Sequence, residues 1–344
     1  MNEAGDKRDP IMTLSHHIVS LSVLVLFPHN RCNCRCVMCD IWRIRESREI
    51  TPDDVRAHLE SLQRLGVRWV VFSGGEPLMH SDLGTMAALL RGEGIRVTLL
   101  TAGLTLKQHA AMVAESFDDV IVSLDGPPNV HDRIRAVPRA FERLDNGVRA
   151  LHDRRPHILI SARTTVQKGN HRHLRGTVAT AKMMGLTSIS FLAADVNSTA
   201  FNRLEGWTPE QKRAVLLDPQ EVNELGEEIA ALIRECSRDI ASGYIVESPA
   251  KLNRIVQHFR AELGAIAPAA PVCNAPWVSA VIEADGTVRP CFFHRSLGNI
   301  HTKPLHEILN SEQAIRFRQE LDIPNNPICQ KCVCSLHWPQ AAHG

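Results

Sequence analysis

Long apolar runs are missing from this chain. No hydrophobic stretch approaches the ~20 residues that a bilayer-spanning helix needs, and residues 1–10 are too polar and charged for a secretory signal. Charge of one sign is scarce too: 39 Lys and Arg against 38 Asp and Glu leave a formal net charge of +1, so the basic footprint of a nucleic-acid binder is absent. There is no low-complexity segment, and no internal repeat beyond a strand–helix unit. Together these features argue against membrane and nucleic-acid partners and place the chain in the cytoplasm, where thiols stay reduced. Its 344 residues, 44% hydrophobic and 22% charged, suit one large or two ordinary domains.

Clustered cysteine is what the chain does have. Of ten cysteines, nine fall in two groups: 32, 34, 36 and 39 near the start, and 273, 291, 329, 332 and 334 near the end. Cys236 stands apart and reads as a buried small hydrophobe. In a reducing compartment such groups mean metal or catalysis rather than disulfides, and the distribution predicts two metal sites. Cys32, Cys36 and Cys39 have the spacing Cys-x3-Cys-x2-Cys directly after an apolar run. Three thiolates without a local fourth ligand leave a coordination position open, the mark of a catalytic centre. Soft thiolates favour iron–sulfur clusters, zinc or Cu(I). Two plainer readings compete. Positions i, i+4 and i+7 also describe one face of a helix, although Pro28, Asn30 and Asn33 suit a loop better. A structural zinc site would want a second cysteine pair within range of Cys39, and none follows.

From residue 18 to 192 the chain alternates β-branched runs with amphipathic stretches. The expected strands are 18–27, 67–73, 95–101, 120–124, 158–166 and 188–192. The first helix has a Thr51 N-cap, Pro52 at its first position and Asp53 and Asp54 in its first turn. Val55, Leu59, Leu62 and Leu65 form its stripe, and Gly66 ends it. Six such repeats imply an α/β fold with a parallel sheet under helices, and periodicity alone fits a doubly wound sheet or a barrel. Either way the loops after strands share one face. The cysteine triad follows strand one, Gly74-Gly75-Glu76-Pro77 strand two, and Asp125-Gly126 strand four. Beyond 192 come a polar loop, helical stretches around 222–233 and 252–259, and a Gly/Ala/Pro linker at 264–271 before the second cysteine group. In that group, 277–283 and 287–290 flank Ala284-Asp285-Gly286 as a hairpin.

The triad resembles the signature of the radical S-adenosylmethionine superfamily. The resemblance implies a partial (β/α)6 TIM-like barrel and a [4Fe–4S] cluster whose fourth iron binds S-adenosylmethionine. Met38 stands where relatives usually carry an aromatic residue, at a position that contacts the cofactor largely through its backbone. Gly74, Gly75, Glu76 and Pro77 match the Gly-Gly-Glu motif, in which the carboxylate can receive the cofactor's ammonium. Ser123 lies in a segment similar to one that meets its ribose and carboxylate. Arg135 resembles a further cofactor contact, and Leu192 a residue that packs on adenine. For the last two, a surface ion pair and a core position are the plainer alternatives. Cys34 is an extra thiol, with a shifted ligand pairing as its alternative role.

Cys273, Cys291, Cys329 and Cys332, with Gly286 ahead of Cys291, resemble the twitch form of the SPASM extension, which holds one auxiliary [4Fe–4S] cluster. A four-cysteine zinc ribbon is the competing reading. Cys334 and His337 are spare. The expected division is a tail at 1–17, a barrel at 18–215, connecting helices and linker at 216–271 and the auxiliary domain at 272–344. The resemblance implies hydrogen abstraction from a small-molecule substrate by a 5′-deoxyadenosyl radical, oxidation with the auxiliary cluster as electron acceptor, and an external donor such as flavodoxin or ferredoxin. Peptide-modifying relatives often carry a leader-binding domain before the barrel; the fewer than twenty residues before strand one here favour a small molecule or a separately delivered peptide. Peptide maturation and redox-neutral epimerisation or decarboxylation are the alternatives within the family, and a non-catalytic iron–sulfur or zinc protein is the alternative outside it. No proton acceptor stands out; Asp195, Arg203 and His294 are candidates by loop position alone.

Overall fold

The computed structural model describes residues 16–203 and 205–338. The expected tail, apart from His16 and His17, lies outside the described residues. The six expected strands all form: β1 Val23–Leu26, β2 Trp69–Phe72, β3 Arg96–Thr101, β4 Asp119–Ser123, β5 Leu159–Val166 and β6 Ser188–Ala193. They pair in parallel, each with its neighbour in sequence. A doubly wound sheet reverses its strand order at a switch point. Here there is no reversal, so the sheet curls one way into a barrel wall. The connecting helices are α1 Pro52–Ala57, α2 Leu59–Arg64, α3 Leu83–Gly92, α4 Leu106–Ser116, α5 Pro128–Arg135, α6 Ala140–Arg154 and α7 Leu174–Met183. Alternate strand residues such as Leu24, Phe72, Leu99 and Val120 are buried beneath them, which leaves the other set on the concave face.

Two expectations need correcting. Strand one begins at Val23 rather than at 18, because Ile18 is held by the Asn310 side chain, which accepts from its N–H at 2.7 Å and donates to its carbonyl at 2.9 Å. The first helix is not continuous. Thr51 and Asp54 make the expected capping box, but His58 leaves helical geometry and its Nε2 meets the Ile300 carbonyl at 3.0 Å.

The C-terminal segment is not a separate sheet. Its hairpin exists, β7 Ser279–Ile282 against β8 Thr287–Arg289, followed by β9 Gly298–Asn299. Yet β7 also pairs in parallel with β1, Val23 opposite Ser279, making one nine-stranded sheet. The far edge is covered as well. Ile189 donates to the Tyr244 carbonyl and accepts from the Val246 N–H, and the Glu247 carboxylate accepts from the Phe191 N–H at 2.8 Å. The wall is therefore a partial (β/α)6 barrel that stays open, with both edges blunted against further pairing. Among the described residues no helix is long and apolar enough to cross a membrane.

Candidate active site and auxiliary cysteine site

The cysteine loop emerges from the C-terminal end of β1 and is gripped on three sides. The first grip is the loop after β2. Gly75 donates to the His29 carbonyl at 3.5 Å and Glu76 to that of Arg31 at 2.8 Å. Only glycine permits this approach, since a Cβ at position 75 would lie 2.0 Å from the Arg31 carbonyl oxygen. Gly74, at φ 97°, packs on the Phe27 ring. The second grip is the end of α5. Its terminal carbonyls have no helical donors, and those of Ile134 and Arg135 accept from Val37 and Arg35 at 3.2 and 3.1 Å. The third is the loop after β6. Asn202 donates to the Asp40 carbonyl, Arg203 to the Met38 carbonyl, and the Trp207 indole to the Asp40 carboxylate.

Asp195 and Arg203 thus have a different role from the cavity-facing one expected. Arg203 is buried, pairs with Asp195 at 2.9 Å and lies 3.8 Å over the Trp207 ring. The Met38 carbonyl that the family resemblance offers to the cofactor is already engaged by this arginine, with a second lone pair remaining.

Within the grip, Cys34 is the most buried of the four thiols. It hydrogen-bonds the sulfurs of Cys32 and Cys36, which raises its own pKa strongly and lowers theirs, that of Cys36 to about 7. Arg135 approaches Cys36 Sγ at 3.5 Å and pairs with the fully buried Asp125 at 2.6 Å. Glu76 is buried, and burial pushes its carboxyl up against three hydrogen bonds, from Thr101 Oγ1, Ala102 N and Leu78 N. These bonds tie the β2 loop to the end of β3. Ser123 ends β4, and Leu192 stands half-buried on β6 opposite Thr165. The triad, the Gly-Gly-Glu loop, Ser123, Arg135 and Leu192 therefore share one end of the barrel. Gln167, just past β5, was not foreseen: its side chain is fully buried and neither amide atom has a partner. Its signal is a polar residue at a strand end, too common to stand out in sequence.

Two histidines support this region in the neutral state. Burial, with help from Arg135, lowers the pKa of His131 to about 3, and its Nδ1 accepts from Asp125 N at 3.2 Å. Burial, then Arg31 and His80, lower that of His29 to about 4. Unfolded imidazoles titrate near 6.5, so the unfolded chain binds more protons between about pH 6.5 and these lowered values. The stabilisation is complete above that window and is lost as pH falls through it, at about 1.4 kcal/mol per pH unit for each ring. Urea unfolding at pH 6.5 and 5 should show this loss, reduced in His131→Asn; a flat profile would refute it.

The second cysteine group gathers on the flank of the barrel. Cys273, Cys291, Cys329, Cys332 and Cys334 all line one cavity, which also touches Val23 and Val25 of β1. Burial pushes the thiols of Cys291 and Cys329 up to about 11. Asn326 caps the short helix that carries Cys329, and Arg254 donates to the Cys332 carbonyl. His294 meets Cys329 Sγ at 3.4 Å, whereas His337 is exposed and outside the lining. Phe292, next to Cys291, stacks at 6.1 Å on Phe27 and at 6.4 Å on Phe201, bridging the two regions.

These donor sets suit iron–sulfur clusters. The buried, unpartnered Nε of Arg135 fits an anionic ligand beside the triad.

Comparison with known proteins agrees with this geometry. Residues 26–179 match the model of the radical SAM superfamily, and residues 273–333 that of an iron-sulfur cluster-binding domain, SPASM. The Fe-coproporphyrin III synthase of Methanosarcina barkeri is 31% identical over 47% of this chain and 42% of its own length. The pre-heme d1 synthase of Dinoroseobacter shibae is 33% identical over 42% and 36%. The chain thus spans less than half the length of these curated relatives. The fold is similar to that of Streptococcus suis SuiB bound to S-adenosylmethionine, with a TM-score of 0.63 at 14% identity over 94% of this chain and 74% of that one. It is also similar to native anSMEcpe with bound AdoMet, at 0.64 and 18% over 90% and 86%. Given the two family matches on a barrel that delivers both cysteine sets, the chain belongs to the radical SAM superfamily and carries a SPASM domain, with S-adenosylmethionine and two [4Fe–4S] clusters as its cofactors.

Proposed function

We propose that this enzyme oxidises a small organic substrate by removing hydrogen from an unactivated C–H bond. The observation that carries the reading is the meeting of the cysteine loop, the Gly-Gly-Glu loop and Arg135 at one end of six parallel strands, with the second cysteine set on the flank of that barrel. When bound, S-adenosylmethionine and its cluster supply a 5′-deoxyadenosyl radical and the auxiliary cluster an electron sink; the protein positions these groups. In this reading Cys32, Cys36 and Cys39 hold the first cluster and leave one iron open. Cys273, Cys291, Cys329 and Cys332 hold the second. Arg135 and Ser123 orient the cofactor carboxylate, and Leu192 packs on adenine. Glu76, whose carboxylate is occupied by its own chain, shapes the loop while the backbone of Gly74 and Gly75 lies against the ligand. Phe27, Phe201 and Phe292 shield the interval between the sites from water. We assign the barrel to 18–215, the connecting helices to 216–271 and the auxiliary domain to 272–344.

The names of the curated relatives, several of them tetrapyrrole synthases, support a small molecule as substrate. A second reading, peptide maturation, has the support of the likeness to SuiB bound to its precursor peptide, a likeness of fold alone. Anaerobically reconstituted protein should hold about eight irons and, with dithionite and S-adenosylmethionine, release 5′-deoxyadenosine. Deuterium carried into that product from labelled candidates would separate tetrapyrroles from peptides. Full iron occupancy without 5′-deoxyadenosine would overturn the reading.

A further inference from the structure

On the concave face of β5, Ser161, Arg163 and Thr165 alternate with Ile160, Ala162 and Val166, which are buried on the other face. Arg163 stands directly opposite Ser123 on one neighbouring strand and Ser190 on the other. Its guanidinium is exposed to the lumen, where Nε meets the Ser190 hydroxyl at 3.3 Å. Three other arginines of this barrel have carboxylate partners: Arg96 has Asp119 at 2.7 Å, Arg135 has Asp125 and Arg203 has Asp195. Among the described residues Arg163 has none within ion-pair distance. Its charge reaches Cys334 of the auxiliary cavity on one side and Glu247 at the edge of β6 on the other. Through Ser123 the group adjoins the residues assigned to S-adenosylmethionine, and it shares the concave face with Val23 and Val25, which line the cavity of the second cysteine set; a substrate oxidised there would lie against this face.

Resting on the function proposed above, we infer that Arg163 is a substrate-anchoring residue that binds a carboxylate of the substrate, with Ser190 beside it as a second donor. A guanidinium presents paired N–H donors that match one planar carboxylate. A phosphate dianion is less well served, because phosphate sites add further cations or a cradle of backbone N–H groups, and β5 presents on this face one cation with Ser161 and Thr165 hydroxyls. Anchoring an acidic side arm here would hold the rest of the molecule against the cofactor end of the strands and fix which carbon faces the radical.

The test uses the anaerobic holoenzyme and iron coproporphyrin III, whose periphery carries propionates, with its tetra-amide as the uncharged control. Binding followed by absorbance titration should favour the acid over the amide by about tenfold or more. Arg163→Gln should remove that preference and Arg163→Lys retain part of it. Equal binding of acid and amide, no binding of the acid by the wild type, or an unchanged preference in Arg163→Gln each overturns the assignment. Circular dichroism and iron content of each variant establish that it is folded and loaded. Wild-type 5′-deoxyadenosine formation is measured in parallel. Its absence would sink the proposed function, whereas a wild type without charge-dependent binding, or a variant that keeps it, would sink only the role of Arg163.

Discussion

A Gly75→Ala variant will lose the first cluster and keep the second. Iron should fall from about eight to about four per chain, and 5′-deoxyadenosine to background, while the far-ultraviolet spectrum of the barrel persists. The cause is steric. The added methyl would meet the Arg31 carbonyl oxygen at 2.0 Å, and neither partner is a side chain that can turn away. The loop after β2 and the loop after β1 must separate, breaking the bond from Glu76 N to Arg31 O. Overpacking of this kind costs about 1–3 kcal/mol or more, concentrated where three cysteines must be presented together. The auxiliary cysteines hang from β7 and the C-terminal helices, so they are insulated from the change. A variant retaining all its iron and its S-adenosylmethionine cleavage would show that the two loops need not touch.

The second large effect distinguishes two neighbouring thiols. Cys36→Ala should abolish the first cluster and with it 5′-deoxyadenosine formation, whereas Cys34→Ala should retain about four irons at that site. Cys34 is the most buried thiol of the loop, and its raised pKa keeps it a protonated donor toward Cys32 and Cys36. Cys36 has Arg135 at 3.5 Å and the lower pKa, the environment of a thiolate. Its loss leaves Arg135 and Asp125 buried beside a void. Mössbauer or electron paramagnetic resonance spectra of the two variants decide the matter, and the opposite pattern would reassign the ligand set.

The strands and both cysteine groups were legible in sequence because they are local signals: β-branched runs, capping residues and close spacing. What escaped was long-range. Nothing in Ser279–Ile282 announces that it will pair with β1, because a buried run of four residues carries no record of its neighbour. His58 reads as an ordinary helical residue until Ile300 is found beside it. Asp195 and Arg203 were visible as polar loop residues, yet their pairing and their grip on Met38 depend on a fold-back across some 165 positions. Arg163 sat in an expected strand without notice, since an arginine lacking an acid partner can be seen only when every neighbour is in place.

The ladder joining β1 to β7 also bears on electron flow. Neighbouring strands sit about 4.8 Å apart and are hydrogen-bonded along their length, so the loop of the first cysteine set and the hairpin that leads to Cys291 spring from one continuous sheet. Tunnelling distance would then be a constant of the architecture instead of a quantity reset at each turnover. Asn202, Arg203 and Trp207, after β6, clasp the first loop by side chains rather than by strand pairing, so a movement that admits a reactant would cost less there than along the ladder.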